Sequence, residues 1–499
     1  MPHPHRLASI EDSVATEPIE NLPVVVIGAG PVGLAAVAHL LERGLDALVL
    51  EAGSSVGHHL LDYGHVQLFS PWRYNVDAAM ERALAASHWQ RPPHDRLPTA
   101  REVVDEVLRP FAELPALRDR IRLRARVTSI SRVGFDKVKT DGRERAPFVV
   151  RGEEDGQPIE LLARAVIDAS GTWSRPNPLG ANGLPAFGER DNADSIFYGI
   201  PDVLGDHRER YAGKRTLVVG AGHSAANALL ALAQLARQDA RTRLLWSVRT
   251  PKLDRVFGGG DGDQLAARGA LGSALKALRD SGALEFVVGL RIASVRRDGT
   301  QLIVAGHGPD GQPMRVEGID QIICATGQRP DLGITGELRI KLDPWLESSE
   351  ALGPLIDPNL HSCGTVRPHG HRELAHPEPG FYTLGVKSYG RAPTFLMATG
   401  YEQARSVAAA LAGDVDAADR VELNLPETGV CSVALGASED DAGSCCGGPP
   451  KSNAESACCA LDEQKKAGGE AGCGCPVTSP QAAAAASRAT PKSRTACCG

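Results

Sequence analysis

The segment at residues 24–51, VVVIGAGPVGLAAVAHLLERGLDALVLE, has the pattern of a strand, a glycine turn, a helix and a second strand. The apolar run Val24–Ile27 is typical of a parallel strand that is buried on both faces. The pattern predicts a helix from about Pro31 to Arg43, ended by Gly44, and a second strand at Ala47–Leu50. A unit of this kind predicts an α/β fold with a parallel sheet.

The turn of this unit and the acid that ends it form the first candidate cofactor site, which consists of Gly28, Gly30, Pro31, Gly33 and Glu51. Gly28 allows a tight turn, Gly30 lets a pyrophosphate approach the backbone, and Gly33 lets the helix pack on the strand. The helix N-terminus favours the phosphate charge. Glu51 follows Gly28 by 23 residues, where a carboxylate accepts hydrogen bonds from ribose hydroxyls. The segment predicts dinucleotide binding, and the alternative is a glycine turn in another kind of α/β protein.

A second unit of the same kind begins at residue 215. A predicted strand at Arg215–Val219 leads into a G-x-G-x-x-A turn and a helix from about Ala225 to Arg237. The candidate cofactor residues of this turn are Gly220, Gly222, Ser224 and Ala225. The next strand, Arg243–Val248, is followed by Arg249, where the first unit has an acid. A cation suits the 2′-phosphate of NADP whereas an acid suits the free hydroxyl of NAD, so Arg249 favours NADP unless it is a solvated surface arginine.

Two further strands lead into turns of small residues, which let the backbone approach a cofactor closely. The strands are predicted at Ala165–Ala169 and Ile319–Ala325. The turn residues that follow them, which are further candidate cofactor contacts, are Ser170, Gly171, Thr326 and Gly327. Between them, residues 176–178 form a Pro-Asn-Pro loop of chain-breaking residues, and we expect a domain crossover there.

Size and charge limit the classes of function. A chain of 499 residues has room for two or three domains. It has 54 Lys and Arg against 61 Asp and Glu, which gives no electrostatic basis for binding nucleic acid or an anionic membrane. Residues 1–20 are polar and lack the apolar core of a signal peptide or anchor. The sequence therefore predicts a soluble cytoplasmic protein with neither nucleic acid nor membrane as partner.

The cysteines are concentrated near the C-terminal end. Nine of the 11 lie at or beyond Cys431, which argues against a disulfide framework distributed through the fold. Residues 431–499 contain no Phe, Trp or Tyr, so we expect a disordered tail. Closely spaced thiolates favour soft metal ions, and the candidate ligands are Cys445, Cys446, Cys458, Cys459, Cys473, Cys475, Cys497 and Cys498. The alternatives are adventitious zinc binding and a low-complexity tail without a function.

Two dinucleotide motifs, with an ATG turn after the second, resemble those of the two-dinucleotide-binding-domain flavoproteins. Cys324–Asp331, with the sequence CATGQRPD, resembles the second linker motif of that family, and Ala169–Thr172 resembles the first. The segment Phe197–Tyr211 matches in part the F-x-G-x3-H-x3-W/F fingerprint of flavin-containing monooxygenases, with a longer Phe-to-His spacing and Tyr as its final aromatic residue. The chain is most similar to these class B monooxygenases and their bacterial relatives.

The resemblance implies FAD in the first unit and NADPH in the second. It implies an α/β fold of two Rossmann-like domains, each of the three-layer ββα type. The expected boundaries are 1–20 for a disordered N-terminus, 21–178 and 320–425 for the FAD domain, 179–319 for the NADP domain and 426–499 for the cysteine-rich flexible tail. The segment Gly385–Lys387 lacks the acid that many members place near the last strand of the FAD domain.

The chain also departs from the disulfide reductases of the group. Those enzymes carry a C-x4-C pair just beyond the first unit, whereas no cysteine precedes Cys324 here. Instead an aromatic and polar cluster either lines the flavin or its substrate or is a packed surface loop, and its members are Phe69, Ser70, Trp72, Arg73, Tyr74 and Asn75. No acid–base pair stands out, so the sequence nominates no catalytic residue.

These features predict an FAD- and NADPH-dependent oxidoreductase, most like a flavin monooxygenase, that acts on a small molecule or a soft metalloid ion such as As(III). The metalloid is suggested by the tail, because its Cys497–Cys498 pair resembles those of mercuric reductases and arsenic-modifying enzymes. One alternative is an NADPH-dependent reductase of metals, metalloids or thiols. Another is a non-enzymatic flavin redox sensor with a metal-buffering tail.

Overall fold

The computed structural model describes residues 18–250, Leu253, Phe257, 265–359 and 366–423. The predicted tail at 426–499 lies outside the described residues, and with it all the candidate metal-ligating cysteines. Most of the predicted N-terminal segment lies outside them too. In the ranges that are described, no helix combines the length and the apolar character needed to span a membrane.

The strands of the described chain are numbered in order. They are β1 (Val24–Ile27), β2 (Ala47–Leu50), β3 (Ile121–Arg122), β4 (Ala125–Arg132), β5 (Phe148–Glu154), β6 (Gln157–Ala163), β7 (Ala165–Asp168), β8 (Ile196–Tyr198), β9 (Arg215–Val219), β10 (Arg243–Val248), β11 (Glu285–Val288), β12 (Arg291–Asp298), β13 (Gln301–His307), β14 (Pro313–Ile319), β15 (Gln321–Cys324) and β16 (Phe381–Thr383). The strands of both predicted nucleotide units are therefore formed where the sequence places them.

The α-helices vary from one turn to four. They are α1 (Pro31–Glu42), α2 (His58–Leu61), α3 (Ala78–Ala85), α4 (Ala100–Val103), α5 (Arg109–Ala112), α6 (Arg208–Tyr211), α7 (His223–Gln238), α8 (Ala266–Asp280), α9 (Gly353–Ile356), α10 (His371–Leu374), α11 (Met397–Leu411) and α12 (Val415–Asp419). The two predicted nucleotide helices are α1 and α7, and each begins directly after the second glycine of its turn.

Two five-stranded parallel sheets carry the fold. The first has the strand order β16-β7-β1-β2-β3, and the second has the order β11-β10-β9-β15-β8. In the first sheet, Ile27 is in register with Leu50 on one side and with Asp168 on the other. In the second sheet, Val219 is in register with Cys324. The carboxyl ends of the central strands therefore meet at one edge of each sheet.

Each sheet is covered by helices on one face and by an antiparallel meander on the other. Val24 and Val26 face a core with helix α1, whereas Val25 and Ile27 face the meander β4-β5-β6 through residues such as Phe148. The second sheet repeats this arrangement with helix α7 and the meander β12-β13-β14. Because strands covered on both faces must be apolar throughout, the continuous apolar runs are explained. The predicted three-layer ββα fold class is confirmed.

The strand β15 corrects the predicted domain boundary. The sequence places the return to the first domain at residue 320, but Gln321–Cys324 pairs with β9 and β8 in the second sheet. The chain therefore returns after this strand. A mostly apolar strand of four residues fits either sheet, so only its long-range pairing decides where it lies.

The segment 121–132 does not form one continuous strand. It is divided into β3, which pairs with β2, and β4, which pairs with β5. The chain turns at Arg124, whose φ of 54° lies in the left-handed region. One segment of alternating apolar and polar residues thus serves two sheets, since a single left-handed residue redirects the strand.

The helical segment 100–112 has a middle turn, Val104–Leu108, that is a π-helix. Pro110 has no N–H to donate to the carbonyl group of Glu106, four residues earlier. That carbonyl instead accepts a hydrogen bond of 2.6 Å from the indole N–H of Trp89. The side chain of Trp89 thus satisfies the acceptor that the proline leaves without a backbone donor.

A buried cluster of three charges ties the first meander to the last part of the chain. The Glu378 carboxylate accepts hydrogen bonds from Arg132 at 2.8 Å, from Arg143 at 2.9 Å and from the Arg339 amide at 3.0 Å. Arg132 also stacks over the ring of Phe148 at 3.6 Å. All three charged side chains are no more than 2% exposed, so removal of one leaves the others buried without compensation.

Glu378→Gln is expected to lower the free energy of unfolding by about 3 kcal/mol at pH 7, measured by urea denaturation. Burial opposes ionisation of Glu378, but hydrogen bonds from Arg339, Arg143 and Arg132 outweigh it, so the pKa of Glu378 is lowered. The stabilisation is present above the unfolded pKa of about 4.3 and is lost as the pH falls through the folded value. The difference between wild type and variant should therefore shrink in acid.

The control for this variant is Asp46→Asn, which removes the pair formed by Asp46 and Arg120 at 2.8 Å. Both side chains are more than a third exposed, so a loss of less than about 1 kcal/mol is expected. Equal losses for the two variants would contradict the importance assigned to the buried cluster.

Candidate functional site

The first glycine turn shows two close backbone contacts and one open position. Gly28 has a φ of +99°, and a Cβ atom there would lie 2.8 Å from the carbonyl oxygen of Ala169. A Cβ atom on Gly33 would lie 2.0 Å from the Gly28 oxygen. At Gly30, the residue before helix α1, a Cβ atom would meet nothing within 4 Å. The roles assigned to the three glycines therefore agree with the local geometry, and the open position lies at the helix N-terminus.

Glu51 is held beside this turn by the backbone. It is 8% exposed, and its two carboxylate oxygens accept hydrogen bonds from the amides of Ala29 at 2.7 Å and Gly53 at 2.6 Å. Each carboxylate oxygen has two acceptor positions, so further hydrogen bonds can still be accepted. The carboxylate is thus fixed in orientation at the end of β2 and next to the open position at Gly30.

The turn after β7 forms the floor of this site. The Ser170 hydroxyl donates to Asp168 at 2.7 Å, and the Lys387 ammonium lies 2.9 Å from the Ser170 oxygen and 2.6 Å from Asp168. Gly171 has a φ of +72°, and a Cβ atom there would lie 3.8 Å from the Val386 side chain. The sequence singled out Ser170 and Gly171 but missed Asp168 and Lys387. The available signal was a single lysine within the otherwise uncharged segment 381–390.

A buried hydrogen-bond network supports the turn Gly385–Tyr389, which carries Lys387. The Gln403 side-chain oxygen accepts from the Gly385 amide at 2.8 Å, and its nitrogen donates to Ser388 at 2.9 Å. The same nitrogen lies 2.9 Å from Nε2 of His369, whose Nδ1 lies 3.1 Å from a backbone carbonyl. His369 is therefore neutral with its proton on Nδ1, consistent with burial, which lowers its pKa.

The second glycine turn repeats the geometry of the first. Gly220 has a φ of +139°, and a Cβ atom there would lie 2.2 Å from the carbonyl oxygen of Ala325. Gly222, the residue before helix α7, again has nothing within 4 Å of a Cβ position. Ser224 and Ala225 lie in the first turn of that helix. Both sheets therefore present an open position at a helix N-terminus beyond their carboxyl edge.

Arg249 follows strand β10 in the second sheet. It is exposed, and its guanidinium donates to the backbone carbonyl of Ala181 at 3.1 Å. Lys252 and Arg255, which the sequence places nearby, lie outside the described residues. The structure thus provides an accessible cation at the end of this strand, and its contact with a 2′-phosphate remains a prediction.

The candidate residues Thr326 and Gly327 lie where the chain crosses between the two sheets. The Thr326 hydroxyl donates to the Asn177 carbonyl at 2.8 Å, and the Asn177 amide donates to the Gly327 carbonyl at 2.9 Å. Arg329 donates to the Asn177 side chain at 2.8 Å. The two segments therefore brace each other at residues 176–178, where the sequence predicts a domain crossover.

Aromatic side chains lie between the two sheet units. Trp173 packs against the Tyr63 ring at 4.6 Å between centroids, and a Cβ atom on Gly199 would lie 3.2 Å from Trp173. Phe69 lies 4.8 Å from the His223 ring, at the start of helix α7. Burial raises the pKa of Tyr63 to about 12. These contacts bring aromatic side chains against the second sheet unit at Gly199 and His223.

The predicted aromatic and polar cluster has two kinds of member. Trp72 and Asn75 are at most 1% exposed, and the Asn75 side chain hydrogen bonds to Ser70 and Pro71, so they are structural. Phe69 instead borders the second unit. In the partial fingerprint, the Phe197 and His207 rings meet edge to face at 4.9 Å despite their longer separation in sequence.

The described residues do not contain the two neighbouring cysteines that a redox dithiol requires. Cys324 is their single cysteine, and it is buried beside Thr326 at 3.2 Å. Burial raises the pKa of the Cys324 thiol to about 12, so it is protonated at neutral pH. Within the described ranges, no group of three or more His, Cys, Asp and Glu side chains forms a metal site.

Comparisons with known proteins agree with this architecture. Residues 25–349 match the sequence family described as pyridine nucleotide-disulphide oxidoreductases. The flavin-containing monooxygenase FMO GS-OX-like 2 of Arabidopsis thaliana is 24% identical over 243 residues, which are 44% of this chain and 49% of the plant protein. The chain thus spans about half the length of the curated relatives that it matches.

Two solved structures resemble the fold. The bacillithiol disulfide reductase of Bacillus cereus superposes with a TM-score of 0.56 and 18% identity, covering 79% of this chain and 99% of that one. The FAD-bound cadaverine monooxygenase of the desferrioxamine pathway in Erwinia amylovora has a TM-score of 0.55 and 14% identity, covering 88% and 100%. At these identities the likeness establishes the arrangement of the two sheets and not a substrate.

Gly33→Ala is expected to destabilise the protein by about 1–3 kcal/mol, since its methyl group would enter the space of the Gly28 carbonyl. The matched variant is Gly30→Ala, whose methyl group enters open space. It should leave the melting temperature unchanged and weaken binding of FAD, the dinucleotide that the sequence predicts for this turn. Thermal denaturation and fluorescence titration with FAD measure the two effects. Unchanged FAD binding by Gly30→Ala would exclude this turn as the pyrophosphate site.

Proposed function

The chain belongs to the pyridine nucleotide-disulphide oxidoreductase family, and we propose on that premise that it is an FAD- and NADPH-dependent oxidoreductase of the monooxygenase type. The observation that carries the proposal is the open position before each of two nucleotide helices, at Gly30 and Gly222. Open space at a helix N-terminus suits a pyrophosphate, because the backbone amides and the helix dipole favour negative charge. The proposal includes the cytoplasmic location expected from the sequence.

FAD is assigned to the first sheet and NADPH to the second. Glu51 is buried and oriented, with acceptor positions left for the hydroxyls of a ribose. The corresponding position of the second sheet holds Arg249, whose charge suits a 2′-phosphate. The side chain expected to meet the ribose is therefore negatively charged in the first site and positively charged in the second. This difference supports the assignment of a different nucleotide to each site.

When bound, FAD supplies hydride acceptance from NADPH and transfer of reducing equivalents to oxygen. The residues of the chain bind and orient the two nucleotides and limit the access of water. Gly28, Gly30 and Glu51 hold the first nucleotide, while Gly222 and Arg249 hold the second. Trp173 and Phe69 line the space between the units with apolar surface. Exclusion of water from that space favours productive use of the reduced cofactor.

A disulfide reductase of the dithiol type is disfavoured as the main activity. The described residues contain one cysteine, and the high pKa of Cys324 makes it a poor nucleophile at neutral pH. A dithiol relay needs two thiols within reach of each other and of the flavin. The plant relative and the Erwinia amylovora structure are described as monooxygenases, which supports oxygen as the electron acceptor here.

A second proposal concerns the cysteine-rich segment at 426–499. Its eight closely paired cysteines favour capture of a soft metal or metalloid ion, such as As(III), since thiolates are soft ligands and neighbouring thiols chelate. The ion would then be the substrate or an effector of the flavin site. A metal or thiol reductase and a redox sensor are the alternatives that the experiment must separate.

We expect NADPH to reduce the FAD-loaded chain without oxygen, and oxygen to reoxidise it. Arsenite should accelerate aerobic NADPH oxidation by the full chain but not by a variant ending at residue 425. Stopped-flow absorbance and an oxygen electrode measure these steps, with hydrogen peroxide assayed as the product of uncoupled turnover.

Three results would contradict the proposal in different ways. Bound FAD that NADPH does not reduce would indicate a sensor. Arsenite that stimulates NADPH oxidation only without oxygen would indicate a reductase. Turnover that arsenite leaves unchanged in both chains would remove the tail from the activity.

Arg249→Ala is expected to raise the KM for NADPH about tenfold and to leave the KM for NADH unchanged, because only NADPH carries the phosphate that the arginine would bind. Steady-state oxidation of the two nucleotides measures the ratio. The control is Arg241→Ala, which removes an exposed arginine paired with Asp239 at 2.7 Å. A proportional change with both nucleotides would contradict a contact with the 2′-phosphate.

A further inference from the structure

Lys387 and Asp168 form a fully buried ion pair at the edge of the first sheet. Their charged groups are 2.6 Å apart, and their side chains are 2% and 0% exposed. Asp168 ends strand β7 and is in register with Thr383, the last residue of β16. Lys387 lies on the turn that follows β16. The pair therefore joins the two turns that leave the carboxyl edge of this sheet.

The pair also lies directly beside the first glycine turn. A Cβ atom on Gly28 would touch both the carbonyl oxygen of Ala169 and the Cα atom of Ser170, at 2.8 and 3.0 Å. Ser170 in turn is hydrogen bonded to both members of the pair. In parallel α/β sheets the ligand binds in the crevice beyond the carboxyl ends of the strands, so two formal charges lie at its floor.

Stability alone does not account for this arrangement. Burying two charges removes their hydration, and apolar residues of similar volume often stabilise a protein as well or better. The ammonium group also has three N–H donors. One is donated to Ser170, the ion pair with Asp168 engages at most one more, and no other described residue accepts a hydrogen bond from this group. A buried donor without an acceptor is unfavourable unless a ligand supplies one.

We propose that the third N–H of Lys387 donates a hydrogen bond to an oxygen of bound FAD. The inference rests on the proposed function, since it requires FAD in the first site. Lys387 would then replace the acid that the segment Gly385–Lys387 lacks, with an ammonium donor in place of a carboxylate acceptor. Its fixed positive charge favours the reduced flavin, which carries more negative charge, and the carboxylate of Asp168 opposes this effect.

The position of the ammonium is fixed by groups on both sides. Asp168 and Ser170 hold it from β7, and the Gln403 side chain holds the turn through Gly385 and Ser388. Gln403 and Ser388 are at most 1% exposed, so this support is rigid and shielded from water. A donor held in this way loses little freedom when it meets a ligand, which increases the affinity that one hydrogen bond gives.

The test compares Lys387→Met, Asp168→Asn and the double variant with wild type. Two quantities are measured on protein reconstituted with FAD: the dissociation constant of FAD, by fluorescence titration of the apoprotein, and the flavin midpoint potential, by dye-equilibrated reduction. Lys341→Met is the control, because Lys341 pairs with Glu350 at the surface with its side chain 61% exposed.

Lys387→Met should weaken FAD binding about tenfold or more and move the midpoint potential to more negative values. Asp168→Asn keeps the ammonium group and should move the potential in the opposite direction. Potential shifts in opposite directions would show an effect of charge, since general damage to the fold would shift the potential of both variants in the same direction. Lys341→Met should change neither quantity.

If Lys387→Met does not fold because Asp168 is left unpaired, the double variant decides, since it buries no charge. Weakened FAD binding by a folded double variant supports the proposal. The proposal is overturned if Lys387→Met or the double variant folds and has the FAD affinity and the midpoint potential of wild type. It is also overturned if the two single variants shift the potential in the same direction. If the double variant also fails to fold, the direction of the Asp168→Asn shift decides. Wild-type apoprotein that binds no FAD would overturn the proposed function instead.

Discussion

The parallel register between a central strand and the strand that returns beside it determines the geometry of both nucleotide sites. In the first sheet this register brings Gly28 against Ala169, and in the second it brings Gly220 against Ala325. At 2.8 and 2.2 Å from a Cβ position, neither contact leaves room for a side chain. The strands can therefore pair in this register only with glycine at the start of each turn, which couples local sequence to overall topology.

The sequence predicts the elements well where periodicity and glycine spacing are sufficient. Both glycine turns, their helices and the strand before Glu51 depend on residues that are close in sequence. Two features depend on distant partners and could not be predicted. The strand Gln321–Cys324 fits either sheet until its pairing is known, and Lys387 acquires its role only when Asp168, over 200 residues earlier, is placed against it.

The buried charge clusters around Glu378 and around Lys387 differ in a way that separates structure from function. Around Glu378, both carboxylate oxygens accept hydrogen bonds from groups of the protein, so the carboxylate is satisfied without a ligand. Around Lys387, the protein supplies acceptors for at most two of the three donors. Since both clusters are equally buried, the difference does not arise from solvent access. The cluster around Lys387, in which one donor has no described acceptor, lies at the carboxyl edge of a parallel sheet, where ligands of this fold bind.

The cysteines of the described residues restrict the electron acceptors of a bound flavin. A reduced flavin passes electrons to the protein through a disulfide beside it, and Cys324, which is buried, protonated and hydrogen bonded within the crossover, has no second described cysteine with which to form one. Among the described residues the floor of the first site offers Lys387, Ser170 and backbone instead. These groups bind and polarise a cofactor but exchange no electrons with it. In the proposed function the acceptor reaches the flavin from beyond this floor, either as oxygen or as an ion carried by the thiols of the tail, and the arsenite experiment separates these two proposals.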